Sequence, residues 1–419
     1  MSFADFSLHS DLLRGVAALG FQAPTPIQRD AIPPALAGRD VLACAMTGSG
    51  KTAAFLLPIL QRLMAQPRGT IRALIVAPTR ELAAQIDEHR RELARFTRVD
   101  GAPVFGGVGM GPQEQAFRRR VDILVATPGR LLDHMRMPYA RLDGLQVLVL
   151  DEADRMLDMG FLPDIRRILK ALPARRQTLL FSATMPTPIV ALARDILRDP
   201  VAIQVERPAA PAVGITHTVY PVPHELKSAL LVELLKQPGT RSVLAFTRTK
   251  HRANRLADYL ARHGVKTDRI HGNRSQAQRT AALAGFKDGR FQVLVATDIA
   301  ARGIDIDALS HVVNFDVPNL SEDYIHRVGR TARAQAVGDA LTLVSPDEES
   351  DLRGIERAVG ARFSRVRLPG FDYAKRPAEK LEIPLAERIA TIRARKAEDR
   401  QRARINAERR ATHSTRAAR

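Results

Sequence analysis

The stretch DVLACAMTGSGKTAAF, Asp40 to Phe55, decides how the rest of the chain is read. It opens as a short apolar run suited to a strand, breaks at Gly48-Ser49-Gly50, and resumes as a helical pattern from Lys51. A glycine turn at a helix N-terminus gathers backbone amides around one point, where they can cradle phosphate oxygens. Thr47, Gly48, Ser49 and Gly50 form that cradle; Lys51 can reach the β and γ phosphates, and the Thr52 hydroxyl can ligate magnesium. Ala45 stands where the usual pattern has its first glycine.

A second stretch, VLVLDEADRML from Val147 to Leu157, ends an apolar run with Asp151, Glu152 and Asp154 inside four residues. Three carboxylates this close repel one another unless something positive joins them. Magnesium on a triphosphate supplies that charge, with Asp151 as its ligand and Glu152 placed to orient or deprotonate the attacking water. Asp154 suits a role holding neighbouring polar groups.

The chain has 419 residues, 45% hydrophobic, enough for two or three domains with real cores. Its 64 Lys and Arg against 45 Asp and Glu give a net charge of +19. That excess favours a polyanionic partner, nucleic acid first, although an acidic membrane surface would feel the same attraction. Cys44 is the only cysteine, which rules out an intramolecular disulfide and a multi-cysteine zinc site and fits a reducing compartment. No run of eighteen apolar residues and no secretory leader pattern occur, so a soluble, cytoplasmic protein is expected.

Between about residues 40 and 200, DVLACA, RALIVA, APVFGG, DILVA, QVLVL and QTLLF alternate with helical patterns, which predicts a parallel sheet covered by helices on both faces. The rhythm returns from about residue 214 with ITHTVYPV, SVLAF, KTDRI, QVLVA, HVVNF and DALTLV. DILVATPGR and QVLVATDIAARG echo each other and place Thr127 and Thr297 at equivalent strand ends, where ligands bind in open parallel sheets. The expected domains are 1–205 and 215–368, with 206–214 as linker and 369–419 as a basic tail. From Phe371 to Arg419 there are 14 Lys and Arg against 7 acids, a solvated tail or a non-specific RNA anchor.

These motifs, in this order, resemble the DEAD-box family of superfamily 2 RNA helicases over roughly residues 3 to 345. They are GFQAPTPIQ (20 to 28), AMTGSGKT (45 to 52), PTRELAAQ (78 to 85), Gly106-Gly107, TPGR (127 to 130), DEAD (151 to 154), SAT (182 to 184), VLAFTRTK (243 to 250), ATDIAARGID (296 to 305) and HRVGRTAR (326 to 333). HGNRSQAQR (271 to 279) and LPGF (368 to 371) look like the bacterial RhlE type. The resemblance implies two tandem RecA-like, doubly wound parallel-sheet α/β domains with a nucleotide cleft between them. It also implies ATP and Mg2+, with RNA-stimulated hydrolysis driving local, non-processive unwinding.

By the same resemblance Gln28 would read adenine through its amide, with Phe3 stacked on the ring and Phe21 packed beneath. Arg330 and Arg333, with His326 beside them, would bring positive charge from the second domain to the γ-phosphate, although the sequence of this face also suits a solvated basic helix. Asp305 would contact the ribose, and Gly303 would let the backbone approach the nucleotide. Ser182 and Thr184 would couple the carboxylates, Asp154 included, to RNA handling. RNA contacts are expected at Arg80, Gly106, Gly107, Thr127, Gly129 and Arg130, and at Thr247, Arg248, Gly272 and Thr297. These are hydroxyls, glycine amides and arginines that meet phosphate and sugar rather than base edges, so sequence preference should be low. Ribosomal or RNA-decay partners fit such a protein.

Met46 replaces a usual glutamine, and Ala332 and Gln335 stand where the family's HRxGRTGRxG has glycines. Other chemistry finds no support: GGVGMG has Pro112 in place of a third glycine, no G-x-S-x-G elbow occurs, and the histidines form no ligand set. Two competing readings remain, an RNA-binding or annealing scaffold with a weak or vestigial ATP site, and a DNA translocase on the same core.

Overall fold

The computed structural model describes residues 1–46, 48–205, 215–301, 309–331 and 338–375, without the side chain of residue 299. Thr47, Gly303, Asp305, Ala332, Arg333, Gln335, the linker 206–214 and the chain from 376 onward lie outside the described residues.

The first domain contains β1 (Val41–Cys44), β2 (Ala73–Val76), β3 (Gly101–Val104), β4 (Ile123–Ala126), β5 (Val147–Leu150), β6 (Gln177–Ser182) and β7 (Val201–Gln204). The second contains β8 (Ile215–Pro221), β9 (Val243–Phe246), β10 (Thr267–Ile270), β11 (Val293–Ala296), β12 (His311–Asn314), β13 (Gly338–Val344) and β14 (Ser364–Arg365). Both sheets pair in parallel throughout the described residues, in the orders β3-β4-β2-β5-β6-β1-β7 and β10-β11-β9-β12-β13-β8-β14. Each strand of the first sheet therefore has a counterpart at the same place in the second. The apolar run before Pro208 is the edge strand β7.

The strands read as unbroken apolar runs because both sheet faces are covered. Val147 and Val149 point into one core with Ile75, Val125 and Phe181, while Leu148 and Leu150 point into the other with Leu74, Leu124 and Leu180. The second sheet repeats this: Val243, Val293 and Val313 face one core, and Leu244, Leu294 and Val312 the other. With both faces filled, the strands' carboxyl ends and their loops are left for chemistry. Register places Ala126 beside Val76 and Ala296 beside Phe246, so Thr127 and Thr297 leave equivalent strands at the same level.

The second domain's packed chain runs past residue 368. Leu368, Phe371 and Tyr373 pack on its core, and the Leu368 N–H donates to the Tyr373 hydroxyl at 2.8 Å. LPGFDY has no helical or strand period, which is why it reads as the start of a tail. The packing is aromatic on apolar, with the Arg367 guanidinium 5.2 Å above the Tyr373 ring.

Candidate functional site

Helix Lys51–Met64 starts directly after the glycine turn, with Gly48 and Gly50 at φ 80° and 96°. Those angles disfavour any side chain, and at Gly50 a Cβ would also come within 2.5 Å of Gln28 Nε2. Gln28 sits in the first turn of helix Pro26–Leu36, whose N-cap is Thr25. Its Oε1 accepts from the Thr25 N–H at 2.9 Å, and its Nε2 donates to Gly50 O at 3.1 Å. One amide thus ties the adenine motif to the phosphate loop. Phe3 is buried and stacks on Phe21 at 6.2 Å; Phe21, only half-buried, is the outer ring of the pair. Ser49 Oγ closes the loop onto Met46 O at 2.7 Å, and the Met46 side chain itself is exposed.

Lys51 is buried, donates to Ala45 O at 3.1 Å and lies 4.0 Å from Asp151 Oδ1. Asp151 leaves the end of β5, and burial pushes its carboxyl up to about 6 against the opposing pull of Lys51. Glu152 is also buried and holds φ 53°, ψ 52°, a left-handed backbone that costs a non-glycine residue about 1–3 kcal/mol. Arg155, three residues on, donates to Glu152 Oε2 at 2.9 Å. Burial alone would raise Glu152, but Arg155, Lys51 and Arg330 outweigh it and keep the carboxyl below its ordinary value.

Asp154 is held from the SAT segment. Its Oδ2 accepts from the Ala183 and Thr184 N–H groups and from Thr184 Oγ1, at 3.2, 2.8 and 3.0 Å. Ser182 Oγ receives the Asp154 N–H at 3.1 Å and donates to Thr184 O. The coupling triad expected of Ser182, Thr184 and Asp154 is one hydrogen-bonded unit.

The Gly106-Gly107 loop wraps the guanidinium of Arg80. A Cβ on Gly107, at φ 81°, would stand 1.9 Å from Arg80 NH1. Arg130 NH1 donates to Val108 O at 3.0 Å, Thr127 caps helix Pro128–Met135, and Gly129 faces open space. On the second domain Gly272 is open, whereas the Thr247 hydroxyl is buried and turned to Thr249 O and Ala296 O. Arg248 is anchored at both ends, its N–H to Asp316 Oδ2 at 2.8 Å and its NH2 to Val317 O at 3.0 Å. Thr297 is nearly buried at the end of β11.

Among the described residues, helix Ser321–Val328 and Arg330 do not form a solvated basic face. Arg327 is buried, paired with Asp298 at 2.6 Å and bonded to Asn314 Oδ1 and Asp316 O. Arg330 is also buried and near enough to Glu152 to lower its pKa; His326 is half-buried beside them. The domains also meet where Gln276 Nε2 donates to Glu81 Oε1 at 3.0 Å and Arg279 pairs with the same carboxylate at 2.8 Å. Neither Arg155 nor the Glu81, Gln276 and Arg279 trio was identified from the sequence. An Arg three residues after a Glu on a helix was a usable signal for the first; nothing local signals the second.

Residues 25–192 match the DEAD/DEAH box helicase family, and residues 226–335 match the helicase conserved C-terminal domain. The chain is 41% identical over 391 residues to the DEAD-box ATP-dependent RNA helicase CshA of Bacillus subtilis, spanning 93% of this chain and 78% of that protein. S. cerevisiae Dbp5 bound to RNA and ADP BeF3 superposes at TM-score 0.79 and 32% identity, over 87% of this chain and 95% of that one. A DEAD box protein from the hyperthermophile Methanococcus jannaschii has higher identity, 36%, and similar coverage, 88% and 99%, but a TM-score of only 0.51. The chain belongs to the DEAD-box ATP-dependent RNA helicases.

Proposed function

We propose that ATP binds at the carboxyl ends of β1, β5 and β6, and that RNA laid across both domains stimulates its hydrolysis to ADP and phosphate. The observation that carries this is the meeting of buried Lys51, Asp151 and Glu152 with Arg330 from the other domain. The residues suit a magnesium-bound triphosphate: a buried carboxylate raised to about 6 is short of positive charge, and the Gly50 cradle is one a Cβ would fill. Among the described residues no three His, Cys, Asp or Glu side chains form a ready cage. That fits a cation held chiefly through one carboxylate and substrate phosphates. Thr52 and Asp151 would hold Mg2+, which supplies positive charge against the phosphate oxygens when bound.

Lys51 then binds the phosphates, and the Gln28 amide reads adenine beside the half-exposed ring of Phe21. Glu152, kept ionised and aimed by Arg155, orients the attacking water. Arg330 stabilises charge on the transferring phosphoryl group, an effect typically worth about 10³ to 10⁵ in rate. Because that arginine belongs to the second domain, hydrolysis depends on domain apposition, and RNA gripped by both domains favours it. A strand held along Arg80, Gly106, Gly107 and Arg130 on one side and Gly272 and Arg248 on the other would be gripped by backbone contacts, with little base preference. Local, non-processive duplex opening follows from clamping one strand and releasing it after hydrolysis.

Within the family we place the chain nearest the bacterial RhlE type, on HGNRSQAQR and LPGF. A cytoplasmic setting is supported by the single cysteine and by the absence, among the described residues, of a helix long and apolar enough to cross a membrane.

The test is steady-state ATP hydrolysis with and without single-stranded RNA, for the native chain and Glu152→Gln, with a matched DNA strand as control. RNA-specific stimulation that vanishes in the variant is expected. RNA binding without turnover would favour the scaffold reading, and equal stimulation by DNA the translocase reading.

A further inference from the structure

Behind the Gly106-Gly107 loop lies a buried polar relay that the reaction chemistry does not use. Gln113, on helix Gly111–Arg119, donates from Nε2 to Phe105 O at 2.9 Å and to Gly109 O at 3.4 Å, the two carbonyls flanking residues 106–108. Its Oε1 lies 3.3 Å from His134 Nε2, and His134 Nδ1 lies 3.0 Å from the Tyr139 hydroxyl. His134 has no solvent exposure and packs on Phe117 at 5.0 Å.

For a neutral imidazole these contacts admit one protonation pattern. Both loop carbonyls are acceptors, so the amide must present its nitrogen to them and its oxygen to the imidazole. His134 must then carry its proton on Nε2 and accept from Tyr139 at Nδ1. A flipped amide would set its oxygen against two carbonyls, and the other tautomer would set a lone pair against Oε1. The charged groups facing the imidazole are Arg130 and Asp133 on its own helix and Glu114 on the helix of Gln113; Arg118 lies over the Tyr139 ring at 5.2 Å.

We propose that Gln113 and His134 are positioning residues for RNA: they fix the carbonyls at both ends of the glycine loop, and so the direction of the backbone amides offered to the strand. The inference rests on the reading that this loop grips RNA. Three carbonyls of a five-residue loop are held, by Gln113 at its ends and by Arg130 at Val108. A loop so held has lost its conformational freedom before RNA arrives, which lowers the ordering cost of binding.

The experiment uses the full chain and measures the RNA concentration giving half-maximal ATPase stimulation, the ATP KM, kcat at saturating RNA, and Tm. Gln113→Met keeps side-chain bulk and removes both loop hydrogen bonds. Half-stimulation should rise about tenfold, as expected for two bonds of ordinary strength, with kcat and ATP KM within about twofold. His134→Phe keeps the packing and frees the amide to flip, and should give a smaller rise, about threefold. Arg130→Ala, run alongside, tests the underlying reading. If Arg130→Ala weakens RNA and Gln113→Met does not, the relay is only structural and the proposal fails. A fall of kcat and Tm together with a rise of ATP KM in Gln113→Met overturns it in the same way. If Arg130→Ala leaves RNA affinity unchanged, the loop does not grip RNA and both ideas go.

Discussion

Lys51 and Lys227 occupy matching places in the two domains and have opposite fates. Each is the first residue of the helix that follows matching strands, β1 and β8. Lys51 meets one backbone carbonyl, Ala45 O, with Asp151 at 4.0 Å. Lys227 donates to Phe315 O at 3.0 Å, on the residue that follows β12 as Asp151 follows β5, and pairs directly with Glu348. Glu348 comes from the turn after β13 and also accepts from Ser345 and Val317. The second domain has filled with its own carboxylate the place that, in the proposed function, the first keeps for phosphate. The fold supplies a lysine at a strand end in both; what neutralises it decides whether the domain binds a ligand or becomes a support.

Substituting the two lysines should separate these roles. Lys227→Met takes the nearer cation from buried Glu348, leaving Arg248 at 3.5 Å, and should cost about 3 kcal/mol of stability, while Lys227→Met with Glu348→Met should recover most of it. Chemical denaturation reads both; a double variant as unstable as the single one would break the view that the pair is a self-satisfied plug. Lys51→Ala loses one hydrogen bond to a carbonyl and a cation 4.0 Å from Asp151 rather than a directly bonded partner, so it should lower the denaturation midpoint less than Lys227→Met does. Its turnover should fall by roughly 10² to 10³, the scale for losing one preorganised group that stabilises developing charge. Equal stability losses for the two lysines would erase the contrast.

A smaller effect is expected where the domains touch. Glu81→Gln keeps an acceptor for Gln276 but removes the charge opposite Arg279. RNA-stimulated turnover should fall about tenfold, a coupling of about 1.4 kcal/mol, with ATP-analogue affinity in the absence of RNA unchanged. A drop in RNA-free nucleotide affinity would instead place Glu81 within the first domain's own site.

The sequence made legible what short-range pattern controls. Apolar runs with turn residues located the strands from DVLACA to DALTLV, and the repeated Leu-Val-Ala-Thr located two equivalent strand ends. Spacing within a single turn located Lys51, Asp151 and Glu152. What stayed hidden are pairings between residues far apart in the chain. Lys227 and Glu348 are 121 residues apart and Gln276 and Glu81 are 195 apart. Each is an unremarkable surface type until the fold buries it. The same holds for Thr247, a hydroxyl at a strand end that looks outward in sequence but caps its own loop, and for Phe3, whose neighbour Phe21 is the more exposed of the two rings.

The finest contrast concerns histidines beneath the two loops proposed to meet RNA. His271 mirrors His134: it is buried, its Nε2 bonds Asn254 Oδ1 at 2.9 Å, and its Nδ1 accepts from the Asn273 N–H at 3.3 Å, beside the open Gly272. Burial pushes both below the ordinary value of 6.5, so each binds a proton less readily in place than in a loosened loop. The ordered loop is therefore fully favoured above pH 6.5 and loses ground as pH falls below it. The surroundings differ: Arg130 repels a proton from His134 while Asp133 and Glu114 attract one, whereas the leading charges at His271, those of Arg274, Arg269, Lys250 and Arg279, all repel one. The second domain's loop, whose histidine is held further from protonation, should thus lose more on acidification. Nucleotide-free RNA binding, which leaves the Asp151 site out of the readout, should weaken about two- to fivefold between about pH 6.5 and 5.5. His271→Gln should remove most of that slope and His134→Gln a smaller part of it. The reverse order would mean that the arginines around His271 are screened by solvent, and that burial alone, not the charge around each ring, sets where the two loops fail.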